Sequence, residues 1–62
     1  MSKLNVVREE KGQYGVYVDG LGLIARIVHL DSFWHIIVDG SYKPTVFKTL
    51  SAAVMEFRRL LG

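Results

Sequence analysis

The chain reads as an α+β domain: an antiparallel β-meander of four to five strands with one C-terminal α-helix packed on one face, residues 1–62 forming a single small unit. Three observations predict it. Runs of β-branched and aromatic residues are punctuated by Asp- and Gly-containing turns. The pattern aromatic, x, β-branched, x, Val-Asp-Gly occurs twice at a spacing of twenty residues, in Tyr14 to Gly20 and again in Trp34 to Gly40, and a strand that ends in Asp-Gly is a hairpin signal. Finally, the last run changes period. Leu50, Ala53, Val54, Phe57, Leu60 and Leu61 recur at spacings of three and four and gather on an arc of about 120° of a helical wheel.

Each element follows from local chemistry. Leu4 to Glu9 is predicted as the first strand. Glu10-Lys11-Gly12 then forms a three-residue hairpin loop, with Gly12 in the left-handed conformation. Gln13 to Val18 is the second strand, and Asp19-Gly20-Leu21-Gly22 is a four-residue turn in which glycine supplies positive φ. Leu23 to Leu30 is a third strand. A two-residue turn, Asp31-Ser32, leads into the fourth, Phe33 to Val38. Asp39 to Pro44 reads as a longer loop, followed by a short fifth strand at Thr45 to Lys48, with Pro44 suited to a strand start or a sheet edge. Thr49 is placed to cap the helix, its hydroxyl accepting from an otherwise orphan backbone N–H. Arg58 and Arg59 stand in the last turns, where cations complement the helix dipole, and Gly62 follows.

Strand side chains alternate between faces, so the turns decide which residues share one. The predicted register gathers Tyr14, Val16, Val18, Leu23, Ala25, Ile27, Trp34, Ile36 and Val38 on one face, joined by Leu4, Val6 and Phe47. That is the bed for the helix. The opposite face gathers Tyr17, Ile24, Arg26, Val28, Leu30, Phe33, His35 and Ile37, with Val7 and Val46. One helix cannot cover both. Three arrangements would deal with the second face: a sheet curled into a small barrel, two copies packed together, or a different partner. Self-association has a further motive. A chain of 62 residues buries only about 60% of the surface it exposes when unfolded, and it has no cysteine with which to build a disulfide.

Composition narrows the function. The absence of cysteine removes thiol chemistry and cysteine-ligated metals and fits a reducing, cytoplasmic setting. The opening Met-Ser-Lys-Leu-Asn lacks the apolar core of a signal peptide, and no stretch approaches the roughly 18 apolar residues of a membrane span. Net charge is +2, permissive of nucleic acid without the strong basic patch that announces it. Two histidines are too few to hold a metal without carboxylate help, and no cofactor motif is present. His29 and His35 fall on opposite faces and cannot form one site. Asp19, Asp31 and Asp39 have turn roles. Asp19 to Gly22 lacks the strand-to-helix setting of a phosphate loop, and no serine sits in a nucleophile elbow. No catalytic residue is predicted, and the expected activity is not enzymatic.

Two surfaces remain. The sheet face with Tyr17, Ile24, Arg26, Val28, Phe33, His35 and Ile37 is the first candidate for partner binding. Its Arg interleaved with aromatic rings could stack bases and meet phosphates. Alternatively the Arg26 stem lies across the sheet, or the residue pairs with an acid across a subunit interface. The second surface combines Met55, Arg58 and Arg59 on the polar side of the helix with Lys43 and Lys48 near the last loop.

Phe33-Trp34-His35-Ile36 and Val46-Phe47-Lys48-Thr49-Leu50-Ser51-Ala52-Ala53 resemble the ending of small sheet-plus-helix DNA-binding domains, the AP2-like domains and the N-terminal arm-binding domains of tyrosine recombinases. In those families a strand with a central Trp is followed by a Phe-x-Thr/Ser step into a helix with Ala near its start. The resemblance covers about the last thirty residues and implies a three-stranded sheet laid in the major groove. The residues themselves predict first a regulatory or inhibitory binding protein that docks on another macromolecule as a homodimer. The alternative is a nucleic-acid-binding domain using the Arg26 face.

Overall fold

The computed structural model describes residues 3–61 without the Leu61 side chain, so the places of Leu61 in the apolar stripe and of Gly62 lie outside the described residues. Five strands, β1 (Leu4–Glu10), β2 (Gln13–Val18), β3 (Gly22–Leu30), β4 (Phe33–Val38) and β5 (Ser41–Phe47), precede one helix, α1 (Leu50–Leu61). Every pairing is antiparallel between sequence neighbours, and the sheet runs β1-β2-β3-β4-β5. It is an open sheet with β1 and β5 at its edges, not a closed barrel.

The turns explain the register. Asp31-Ser32 connects Leu30 to its partner Phe33 as expected, with φ of 52° and 68°, the two left-handed residues that a type I′ hairpin turn requires. Asp39 and Gly40, φ 53° and 77°, make the same kind of turn, because Val38 pairs with Ser41. The long loop expected from Asp39 to Pro44 is therefore absent. β5 starts at Ser41 rather than Thr45, and Lys48 lies past its end. Pro44 falls inside β5, where the register shifts between His35 and Ile37. An edge strand at a bulge is where a residue without an N–H is tolerated.

Two further bulges depart from the expected register. The first hairpin closes on Glu10 and Gln13, so its loop is Lys11-Gly12, and Glu9 is the extra residue in β1. At the second, Val18 pairs with Gly22 across a three-residue loop, and Leu23 with Tyr17, before the ladder regains the expected Val16–Ala25 pair. Ile24 absorbs the slip. Leu23, expected beneath the helix, instead opposes Tyr17 and is partly exposed.

The core forms where the helix meets the sheet. Val16, Ala25, Ile27 and Ile36 bury against Ala53 and Phe57, flanked by Leu4, Val6, Trp34, Val38, Phe47, Leu50 and Val54. Each large apolar side chain so buried contributes roughly 1.5–3 kcal/mol. The helix packs chiefly on β4 and β5. Its first turn is held by Thr49, whose hydroxyl accepts from the Ala52 N–H at 3.1 Å. Leu60, expected in the buried stripe, is 64% exposed because it lies a turn beyond Phe57, near the end of the helix. On the same side of the sheet, His29 stacks on Trp34 with centroids 4.5 Å apart, and Tyr14 meets the indole edge-on at 5.8 Å.

Candidate functional site

The side of the sheet away from the helix is built by two rows that cross the strands. Val7, Gly15, Arg26, Ile37 and Tyr42 form one, each paired with the next from β1 to β5. Gln13, Val28, His35 and Val46 form the other, from β2 to β5. Directly paired residues point to the same face of an antiparallel sheet, so the rows define one surface, which Leu30 and Phe33 extend toward the Asp31-Ser32 turn. No element packs over it among the described residues. Val7, Phe33, Tyr42 and Val46 are 50%, 39%, 58% and 41% exposed, and Tyr17, Val28, His35 and Ile37 are half-buried by their neighbours. A contiguous apolar surface of this kind marks a contact site more often than chance.

At its centre the polar groups are already matched. Arg26 occupies the middle of the middle strand. Its Nε donates to Glu9 Oε1 at 3.0 Å, and Gln13 Nε2 donates to the same oxygen at 3.5 Å. The pair reaches from β3 to β1 across Gly15. A Cβ at Gly15 would come within 3.2 Å of the Glu9 carboxylate and 3.0 Å of the Tyr17 ring. Glycine in the interior of a strand is otherwise unfavourable, and here it leaves a channel that the carboxylate fills. Arg26 thus pairs with an acid of its own chain. His35 lies beside Tyr42, ring to ring edge-on at 6.0 Å, with Nε2 3.3 Å from the Leu30 carbonyl oxygen, which accepts from the Nε2–H tautomer. Ile24 and Ile37 border a shallow depression next to Arg26.

Six of the seven residues predicted for this surface, Tyr17, Arg26, Val28, Phe33, His35 and Ile37, come together on it, whereas Ile24, the extra residue at the β3 bulge, packs against the core. Several participants lacked a prediction, Gln13 among them. Gly15 carried a legible signal, a glycine inside an otherwise apolar strand. Tyr42 was hidden by reading Asp39 to Pro44 as a loop, although the repeated Asp-Gly pattern implied a tight turn. Glu9 follows Val7 by two residues and so falls on the same face by strand alternation, although the predicted face reaches only Val7 in β1.

The second surface does not come together as one site. Met55, Arg58 and Arg59 line the outer side of the helix with Ala52 and Glu56, and Met55 is 67% exposed. Arg59 is held by Glu56, its Nε donating to Oε1 at 3.0 Å and Nη2 to Oε2 at 2.8 Å. That hydrogen bond lowers the Glu56 pKa from its ordinary value and raises that of Arg59. Lys43 sits apart, in the bulged part of β5, beside a cleft of about 200 Å³ that also touches Pro44, Phe57 and Leu60. Lys48 lies in the link to the helix. Among the described residues, no three His, Asp or Glu side chains gather as metal ligands would, and no helix is long and apolar enough to cross a membrane.

Compared with protein-family models, curated proteins and solved structures, the chain finds no match.

Proposed function

We propose that this chain is a non-enzymatic binding protein, regulatory or inhibitory in effect, that acts by docking its helix-free sheet face on another protein surface. One observation carries the reading. The face is open, contiguous and apolar, yet its single central cation is already matched by Glu9 at 3.0 Å. Interfaces concentrate aromatic residues and Arg and exclude unpaired charge from their centre. A cytoplasmic setting accompanies this reading, since the chain has no cysteine.

The same observation argues against nucleic acid as the partner. Phosphate contact needs free cations, and here Arg26 would have to give up its carboxylate. The DNA-binding families that the C-terminal half resembles imply a three-stranded sheet in a groove, whereas this sheet has five strands.

The test uses dilute protein and two probes. The apolar dye 8-anilinonaphthalene-1-sulfonate should bind the wild type and lose at least tenfold in affinity on Ile37→Lys, with the helical circular dichroism unchanged. A labelled DNA duplex should show no binding that falls steeply as salt rises. Equal dye binding by the variant, or tight and salt-sensitive duplex binding, would overturn the reading.

A further inference from the structure

We infer that the occupant of the helix-free face is a second copy of this chain, packed sheet to sheet about a two-fold axis that runs between the Arg26 guanidinium and the Glu9 carboxylate. The inference deepens the docking reading above and rests on it. Two features of the surface select the occupant.

The first is size. The longer dimensions of the molecule, 33 and 22 Å, set a ceiling of about 700 Å² on the flat area of one face, of the same order as the ~800 Å² that each partner contributes to a standard stable interface. A second copy is the one partner certain to present a matching area of the same shape. Two sheets stack face to face about 10 Å apart with their side chains interdigitated, and the exposed Val7, Phe33, Tyr42 and Val46 supply those side chains.

The second is charge. A two-fold interface sets each residue against the partner's surface reciprocally. Arg26 is the central residue of the central strand, so a two-fold that overlays most of the face brings the two Arg26–Glu9 pairs together. Where the axis runs between the two charged groups and across the line that joins them, each guanidinium meets the other chain's carboxylate as well as its own, in an alternating group of four charges. An interface of opposite sign-pairs is self-complementary, and a slipped register would set like charges against each other. Pairing the sheets also leaves both helices outermost, with Met55 and Arg58 free for a further target.

Sedimentation equilibrium tests this with charge-swapped chains. The wild type should reach twice the 7.0 kDa of one chain. Glu9→Arg alone and Arg26→Glu alone should each lose at least tenfold in self-association, and an equimolar mixture of the two should regain it. Should a single variant fail to fold, the double variant keeps the pair intact within each chain. It should dimerise with itself yet not exchange with the wild type. Single variants that dimerise like the wild type, a mixture that stays single, or free exchange would each overturn the inference. A wild type that remains at 7.0 kDa while Ile37→Lys abolishes dye binding would overturn the second copy and leave the docking reading standing. Loss of both would end both.

Discussion

Arg26 and Glu9 meet at 3.0 Å across an intervening strand, over the one residue, Gly15, that has no side chain to keep them apart. Strand alternation puts Glu9, two residues after Val7, on this face, a glycine in β2 opens the channel, and the middle of β3 supplies the cation. The ion pair itself adds little stability while both side chains touch water, of the order of 0–1 kcal/mol. Its consequence is electrostatic: the centre of an apolar face is left without net charge.

Gly15→Ala tests that channel. The added methyl meets the Glu9 carboxylate and the Tyr17 ring edge at 3.0–3.2 Å, and both can swing aside. Stability should change by no more than about 1 kcal/mol, because the loss of contact is offset by the lower chain entropy of alanine. The Arg26 Nε–H should exchange with solvent faster than it does in the wild type. An Nε–H that stays protected would show that the pair does not depend on Gly15.

Ser32→Gly should raise stability by about 0.5–1 kcal/mol, seen as a melting temperature higher by about 2–8 °C for a domain of this size. Ser32 holds φ at 68°, where an L side chain is strained. Glycine removes the strain and matches the residue preferred at this position of a type I′ turn. The converse change in the other turn, Gly40→Ala at φ 77°, should lower the melting temperature. A fall on Ser32→Gly would mean that the serine makes a compensating contact.

Phe57→Ala should cost about 3–5 kcal/mol, a large share of the total for so small a domain, whereas Leu60→Ala should stay within about 0.5 kcal/mol. Both residues belong to the apolar stripe of the helix, but only Phe57 is buried. Denaturant melts of the two variants measure the contrast. Equal costs would show that the helix sits at another angle on the sheet.

The Glu56 carboxyl should titrate below the ordinary glutamate range, chiefly because Arg59 donates to it. A carboxylate whose folded pKa is depressed adds its stability fully above its unfolded value. That contribution is lost as pH falls through the lower folded value. Arg59→Met should return the midpoint to the ordinary range in a carbon-detected NMR titration. A midpoint unmoved by the substitution would remove the pair.

Much of this was legible in the residues. Period two in the strands and period three-to-four after Thr49 gave the element types, and the Asp31-Ser32 turn gave the β3–β4 register residue for residue. What escaped were insertions of one or two residues. A bulge at Glu9, another at Ile24 and the irregular stretch of β5 around Pro44 leave the apolar pattern intact on either side, so no periodicity reveals them. The Leu23 error follows directly from the second. The candidate face was legible because it depends on alternation, which the bulges interrupt and then restore. Its central ion pair was not, since it depends on two side chains reaching each other across β2 through the space left at Gly15.

The central claim is that the helix-free sheet face is the contact surface of this protein. Methyl NMR with a soluble gadolinium chelate tests it most directly, across a concentration series. At micromolar protein the methyls of Ile37, Val28, Val46 and Met55 should all be broadened by the probe. At millimolar protein the three sheet methyls should become shielded while Met55 stays broadened. Sheet methyls equally exposed at every concentration, or shielding that appears at Met55 instead, would contradict it.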